Sequence, residues 1–569
     1  MNKRTKVFTA LVVAFLCCLH SAATGKLYFS SDNFNISLVL NGYYGNPLSQ
    51  YQHPLFCLII YVLSVIFPFA DSFMLVVHIG VFAECAILFY LLAEELMTRK
   101  ISVWKIEDFL RFTLSLFSVI IFCTGFKVWY VNYTITTASF AFTGVITLTV
   151  GRIRHKGILW IVAGTVFIAF AFMLRKESAL LFLPFIILII MADILSSSDR
   201  KMELRSVLKY TIPACLTIIL LLASQLIFNA IEPYASAKRY NDARTTIVDF
   251  PMKPMWEVTE TDVFTKADYH AAQNWLFSDT EVMDTEMIES IAEAGRKSEY
   301  EYSMDGLQKA LSDMLRVAGK TDVYISLMIL LIVLIMIRNI ISEKTIWCVI
   351  ASVLAVSGAF IILLYYTIAG RAPLRVWEPV LFATLATELL IMIGGRSRLS
   401  DKLHLLFLLL ILIISYYGIG QVIAHTEFHE PQLAINSRNN VNADPYEITI
   451  KDDDLYIWPN WHATIPEQAE RTGKLPSRDV IDHNIALGDW TSGQPYYTAF
   501  LERIGHPNPI RDLVEKDNVC VMSDNGYILY FLREHYGDQI KLVEAGEVNG
   551  KTAYKTEKMN VLDAQGDSK

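Results

Sequence analysis

Apolar runs of bilayer length, separated by short polar connectors, dominate the first 424 residues. A helix that spans a membrane needs about 20 mostly apolar residues. Eleven runs are candidates: Val7–Thr24, Ser72–Leu96, Phe109–Gly125, Thr134–Val150, Ile158–Leu174, Ala179–Leu195, Tyr210–Ile231, Val323–Ile337, Thr345–Thr367, Trp377–Ile393 and His404–Ala424. A shorter run, Pro54–Ala70, follows His53 and is stopped at Pro68. It reads as a re-entrant or interfacial helix, with a twelfth span as the alternative. Met1–Lys26 begins basic and has small residues at Ser21-Ala22-Ala23, so a cleavable signal peptide rivals the uncleaved first span we favour.

Two polar stretches break the apolar pattern. Residues 232–321 read as a helical insertion, with Ser278 and Glu281 spaced as a capping box and Ser303–Val317 at amphipathic helical spacing. Its aromatics, Tyr234, Tyr240, Trp256, Tyr269 and Trp275, suit either sugar faces or packing onto the membrane part, and we favour packing. Residues 425–569 read as a separate α/β domain. Leu455–Trp458 and Asn518–Ser523 are predicted strands. Ile465–Arg471, Tyr497–Ile504, Ile510–Glu515 and Tyr527–Tyr536 are predicted helices. Ile540–Val548 and Thr552–Lys555 flank Asn549-Gly550 as a hairpin. The expected fold class is therefore mainly α, polytopic in the membrane, with a helical loop insertion and a C-terminal α/β domain.

Composition agrees. Of 569 residues, 53% are hydrophobic and only 19% charged, against about 25% charged in soluble domains. This excludes a purely soluble enzyme, a disordered chain and a fibre. Charge orients the chain. Basic clusters at Lys3/Arg4/Lys6, Arg99/Lys100/Lys105, Arg152/Arg154/Lys156, Arg200/Lys201/Arg205/Lys209, Arg338/Lys344 and Arg396/Arg398/Lys402 all fall on one side if Pro54–Ala70 does not cross. The positive-inside rule makes that side cytoplasmic. Both polar stretches are then exported, as is the first loop, residues 25–71. Glu232–Lys320 carries 17 acidic and 10 basic residues and His425–Lys569 carries 24 and 14, so the formal net of −8 conceals a remainder of +9. Acidic exported surface argues against nucleic acid, which requires basic stripes. Seven of the eight cysteines lie in apolar runs and only Cys520 in the C-terminal domain, so no disulfide forms within that domain.

Candidate chemistry lies on the exported side. Asp32, in Ser30-Ser-Asp-Asn33, can serve as general base for a hydroxyl acceptor or as a helix-capping residue. Arg175-Lys176-Glu177 places two cations where the positive-inside rule wants few; they suit a lipid phosphate or simply snorkel to the interface. Arg371 and Arg375 sit four apart in Gly370-Arg-Ala-Pro-Leu-Arg375, where Pro373 predicts a turn that aims both guanidiniums at one anion. Arg244 and Asp249 read as an internal salt bridge, although Arg244 remains a candidate for substrate. His53 is a lone histidine before Pro54, structural or binding. Asp452-Asp453-Asp454 formally contains a metal-binding DxD pattern but reads as a solvated turn. Asn35-Ile-Ser37 and Asn132-Tyr-Thr134 match the glycosylation acceptor pattern, which recurs by chance.

This constellation resembles the GT-C class of integral membrane glycosyltransferases. The likeness rests on many spans, Asp32 just after the first span, short helices in the first loop, basic residues at exported span ends, and an exported α/β tail. It is specific only around Ser30–Phe56, Arg175–Pro184 and Tyr365–Pro379. The tail motif Leu487-Gly-Asp-Trp490-Thr-Ser-Gly-Gln-Pro495-Tyr-Tyr497 looks like tails of membrane proteins in bacterial surface-polysaccharide clusters. The resemblance implies transfer of a sugar from a polyprenyl-phosphate donor to a glycan or lipid acceptor outside the bacterial cytoplasmic membrane. Asp32 would then be the catalytic base. Asn33, which stands where many members have a second acid, would line the substrate site with His53, Arg175, Lys176, Glu177, Arg244, Arg371 and Arg375. No metal ligand is assigned; the class allows a divalent metal that no residue here supports. An oligosaccharide polymerase or ligase, and a lipid or glycan transporter without chemistry, are the rival expectations. The transporter would prefer mid-span charges, of which Glu84 and Glu388 are the few, and Glu84 can bond to a neighbouring helix.

Overall fold

The computed structural model describes residues 3–23, 31–98, 132–298, 300, 303–320, 323–342, 345–371, 374–394, 454–459, 475–548 and 551–558. The expected spans Phe109–Gly125 and His404–Ala424, the helix Ile465–Arg471 and Asp452-Asp453 lie outside them. The chain runs α1 (Lys3–Ala23), α2 (Ser31–Leu40), α3 (Pro54–Ile66), α4 (Ser72–Thr98), α5 (Tyr133–Ile153), α6 (Ile158–Leu174), α7 (Lys176–Leu180), α8 (Leu183–Ser196) and α9 (Arg200–Ala230). The insertion supplies α10 (Tyr234–Asp249), α11 (Lys266–Gln273), α12 (Thr285–Gly295) and α13 (Met304–Lys320). The helices α14 (Val323–Ser342), α15 (Ile346–Ile368) and α16 (Leu374–Gly394) follow. Among the described residues, five helical segments are long and apolar enough to cross a membrane: Ser72–Leu91, Tyr133–Ile153, Lys176–Ser196, Arg200–Ala230 and Ile346–Ile368.

These helices are joined where their sequences are small or polar. Helix α5 is buried nearly all round. Gly144 and Gly164 let it approach α6 so closely that a Cβ on either would meet the other's carbonyl at 2.9–3.0 Å. Small residues at such crossings replace the hydrophobic drive that lipid removes. Glu84 of α4 accepts hydrogen bonds from Ser139 and Thr143 of α5, as its expected helix-to-helix role requires. Glu388 of α16 accepts from Asn339 of α14 at 2.8 Å and Ser352 of α15 at 2.6 Å. Both buried carboxyls thus act as interhelical ties. At another helix junction, buried Arg152 bridges Asp193 and Glu203, binding α5 to α8 and α9.

The C-terminal domain is a five-stranded sheet of order β2-β1-β3-β5-β4. Parallel β1 (Leu455–Trp458), β2 (Asn484–Ala486) and β3 (Val519–Val521) meet an antiparallel hairpin, β4 (Ile540–Val548) and β5 (Lys551–Lys558). Around it lie α17 (Arg478–Asp482), α18 (Pro495–Arg503), α19 (Pro509–Glu515) and α20 (Gly526–Tyr536). The expected strands, the hairpin and three of the expected helices are present within a residue or two, apart from a longer second hairpin strand. β2 was not expected, because three residues offer no alternation to read.

The insertion docks on this domain. Phe277 and Ser278 both donate backbone N–H to Leu487 O, at 3.0 and 2.9 Å. Ser278 is therefore no helix cap: its hydroxyl donates to Ala486 O at 2.6 Å. The capping box lies instead at Thr265 and Asp268, opening α11. Buried Asp279 accepts from Asn508 at 2.9 Å and from the Tyr536 hydroxyl at 2.5 Å. The Tyr240 ring packs on Gly493, and the backbone carbonyl of Trp275 lies against Gly488. Tyr240 therefore packs on the C-terminal domain and not on the membrane part. Tyr269 packs within the insertion, Trp256 is exposed, and Tyr234 alone of these is seen to meet a helix of the membrane part, at Phe228 of α9.

Candidate functional site

Asp32 lies in the first turn of α2, where a carboxylate is favoured by the helix dipole. Its neighbour Asn33 is fully buried and accepts from the backbone N–H of Tyr133 at 3.1 Å. Tyr133 opens α5, capped by Asn132, whose side chain accepts from Thr134 N at 3.0 Å. Arg175 meets this helix end from the opposite element. It stands in extended conformation between α6 and α7, so its side chain turns back across the bundle. One guanidinium nitrogen donates to the Thr134 hydroxyl, and the guanidinium carbon sits 4.7 Å from the Tyr133 ring centroid. Asn33 and Arg175 thereby meet at Tyr133, with Asp32 adjacent to Asn33 in the chain.

Tyr51 forms the other side. Its hydroxyl donates to Asn241 Oδ1, lies 3.1 Å from Trp490 O and accepts from Arg244 Nη2 at 2.9 Å. Its ring meets Trp490 edge-on at 4.7 Å. Burial pushes the Tyr51 phenol above its ordinary value; Arg244 opposes this, and the nearby charges of Asp489 and Asp32 add to it. Asp489 comes from the C-terminal domain. It accepts from Thr491 N at 2.6 Å and, at 3.4 Å, from Asn35, one turn beyond Asp32. First loop, insertion and C-terminal domain therefore close around one phenol.

Arg244 is 3% exposed, yet its Nε and Nη1 have no hydrogen-bond partner. The fully buried amides of Gln52, beside Tyr51, and Gln494, beside the Asp489–Thr491 turn, have none at either end. Leaving such groups unpaired costs about 1–3 kcal/mol each, more for a charge. Six donor or acceptor atoms are thus left open to a polar or anionic guest.

The other candidates separate from this centre. Arg244 does not pair with Asp249. Asp249 binds Arg371 instead, Nη2 to Oδ2 at 2.5 Å, with the guanidinium 5.3 Å from the Phe250 ring. α10 explains the difference: the five-residue step from 244 to 249 puts the two side chains on different faces. Arg371 follows Gly370 (φ +73) as α15 ends, and Arg375 belongs to α16; the expected turn at Pro373 lies outside the described residues. His53 caps α3. Its Nδ1 accepts from Leu55 N at 3.1 Å, and its Nε2 lies 3.0 Å from Leu221 O and 2.9 Å from Ser224 Oγ. Both ring nitrogens are thus engaged within the fold. Lys176 and Glu177 form a loose, partly exposed pair at 3.6 Å. Both glycosylation patterns hold buried asparagines, Asn35 and Asn132, already bonded within the fold.

The sequence assigns no role to Tyr51, Gln52, Tyr133, Asn241, Asp489 or Gln494. Asp489 and Gln494 stand in the tail motif and Tyr133 in a glycosylation pattern, but their partners lie up to 454 positions away. Among the described residues no group of three or more His, Cys, Asp or Glu side chains is placed to hold a metal ion. No family model, curated protein or solved structure matches this chain.

Proposed function

We propose that the protein is a membrane glycosyltransferase that moves a sugar from a polyprenyl-phosphate donor to a glycan or lipid acceptor on the outer face of a bacterial cytoplasmic membrane. The observation that carries this reading is the convergence of Asp32, Arg175 and Arg244 around Tyr51 and Tyr133, at the end of the helices and beneath the C-terminal domain. The basic connectors favour eleven spans with the N-terminus inside and the C-terminal domain exported.

In this reading Asp32 takes the proton from the acceptor hydroxyl. The hydroxyl oxygen forms a bond to the anomeric carbon as the bond from that carbon to the phosphate oxygen breaks. The electron pair leaves with the phosphate, whose charge grows in the transition state. Preorganised cations aimed at developing charge do most where water is excluded. Arg244, with two open nitrogens, and Arg175, held over Tyr133, fill that role. Arg371, paired with Asp249, does not.

The test is release of sugar from a labelled polyprenyl-phosphate donor by purified protein. Asp32→Asn should abolish transfer while the folded protein is recovered in full, and Arg244→Ala should reduce it severely. Near-normal transfer by Asp32→Asn would overturn the assignment. A larger loss from Arg371→Ala than from Arg244→Ala would favour a polymerase or ligase.

A further inference from the structure

Helix α13 carries three kinds of surface where a helix at a protein–water boundary needs two. Taken around the axis at 3.6 residues per turn, Gly306, Ala310 and Met314 form one sector and are buried. Asp305, Gln308, Lys309, Ser312, Asp313 and Arg316 form the polar sector. Between them runs a third, apolar sector: Met304, Leu307, Leu311 and Leu315. Leu311 is half-buried, but Met304 is 69% exposed, Leu307 38% and Leu315 57%.

An apolar stripe of this kind facing water is costly, at about 25 cal/mol for each Å². Its place in the chain shows what covers it. Three residues after α13 ends, the apolar helix α14 begins. Helix α13 also packs against α15, whose Phe360, Ile361 and Tyr365 are 42%, 64% and 66% exposed. Residues Ile346–Ile368 are long and apolar enough to span a bilayer, so that exposed face is one that lipid covers. The stripe on α13 belongs to a helix packed against that span.

We propose that Met304–Lys320 lies in the membrane surface at the end of the bundle that carries the C-terminal domain, with Met304, Leu307 and Leu315 seated in the lipid of that leaflet. A helix with a packed face, an apolar face and a charged face settles at the boundary between headgroups and acyl chains, its apolar side about 5–10 Å deep. Its charges are of both signs, Asp305 and Asp313 against Lys309 and Arg316, so the attachment is through apolar area and not through anionic headgroups. The insertion that carries Arg244 is thereby tethered to the leaflet. This holds whether or not the protein transfers sugar.

The experiment uses the full chain in nanodiscs of zwitterionic phosphatidylcholine. Leu307→Cys, Leu315→Cys and, on the polar sector, Ser312→Cys are labelled with a small thiol-reactive fluorophore, with the wild-type chain labelled in parallel as blank. All three positions are exposed or nearly so, and the substitutions leave the packed face untouched. Nanodiscs containing doxyl-labelled lipid should quench the label at 307 and 315 at least about twofold more than at 312, as a depth difference of several Å requires. Raising the salt concentration should change nothing. Equal, water-like emission at all three positions would overturn the proposal. So would lipid-independent shielding at 307 and 315 that disappears on dilution, which would mean a second copy of the chain covers the stripe.

Discussion

Arg244 Nη2 donates to the hydroxyl of Tyr51 at 2.9 Å, across 193 positions of sequence. That bond ties the insertion to the first loop. Through Trp490, whose carbonyl oxygen lies 3.1 Å from the same hydroxyl, it also reaches the C-terminal domain.

Tyr51→Phe and Arg244→Met should each destabilise the protein by about 1–3 kcal/mol, since each strands a buried polar partner. Because the two side chains touch, the double variant should lose at least about 0.5 kcal/mol less than the sum. Reversible unfolding in mixed micelles measures this. Simple additivity would show that the bond carries no coupling.

Arg371 and Asp249 make a contrasting pair, with side chains 28% and 27% exposed. A partly screened ion pair contributes about 1 kcal/mol or less. Arg371→Ala and Asp249→Asn should therefore lower stability modestly and alike, with transfer activity changed to the same small extent in both. Loss of activity in the arginine variant alone would return Arg371 to the substrate.

Gly488 should tolerate no side chain. A Cβ there would stand 2.0 Å from Trp275 O and 2.7 Å from Phe277 N. Both contacts are backbone and cannot swing aside. Gly488→Ala should open the junction of insertion and C-terminal domain, costing about 1–3 kcal/mol or more by overpacking. Limited proteolysis should then cut between residues 251 and 285 much faster than in the wild type. An unchanged cleavage rate would refute the close approach.

The same junction should respond to pH through His535, whose Nε2 lies 2.5 Å from Asp268 Oδ1. Burial pushes this imidazole down, but the hydrogen bond and charge of Asp268, with Asp279 and Glu534, outweigh it and raise its pKa. A raised folded value means that the protonated form stabilises the fold. That stabilisation is complete below the unfolded pKa of about 6.5 and is lost as pH rises through the higher folded value. Melting temperature should therefore fall from pH 6 upward through that range, and Asp268→Asn should flatten the dependence. A wild-type profile that rises over this range would contradict the pairing.

Much of the element inventory was legible because its signals are local. Apolar length marked the helices around Ser72–Leu91 and Ile346–Ile368. Alternation and turn residues marked β1 and the β4–β5 hairpin. Asp32 was legible as the acid that opens the first loop, and Glu84 as a tie between helices. The capping box was misplaced because Ser278 satisfies its hydroxyl on Ala486 O, 208 positions away, which no local pattern records. The pairing of Arg244 with Asp249 was misjudged for a related reason. The five-residue step along the helix from Arg244 to Asp249 prevents their pairing, so Asp249 is left for Arg371 and Arg244 keeps open nitrogens.

By itself, then, the sequence determined which segments suit lipid, which face water, and where the rare charges among apolar runs must be explained. Those properties follow from transfer free energy and from helical and strand periodicity, which depend on a residue and its near neighbours. Only the tertiary structure decided which charges stay available. A guanidinium buried beside one phenol, with two nitrogens unmatched, and another neutralised by an aspartate are the same residue type. What separates them is the set of partners that chain folding brings within about 3 Å, a distance over which hydrogen bonding acts and sequence spacing carries no information.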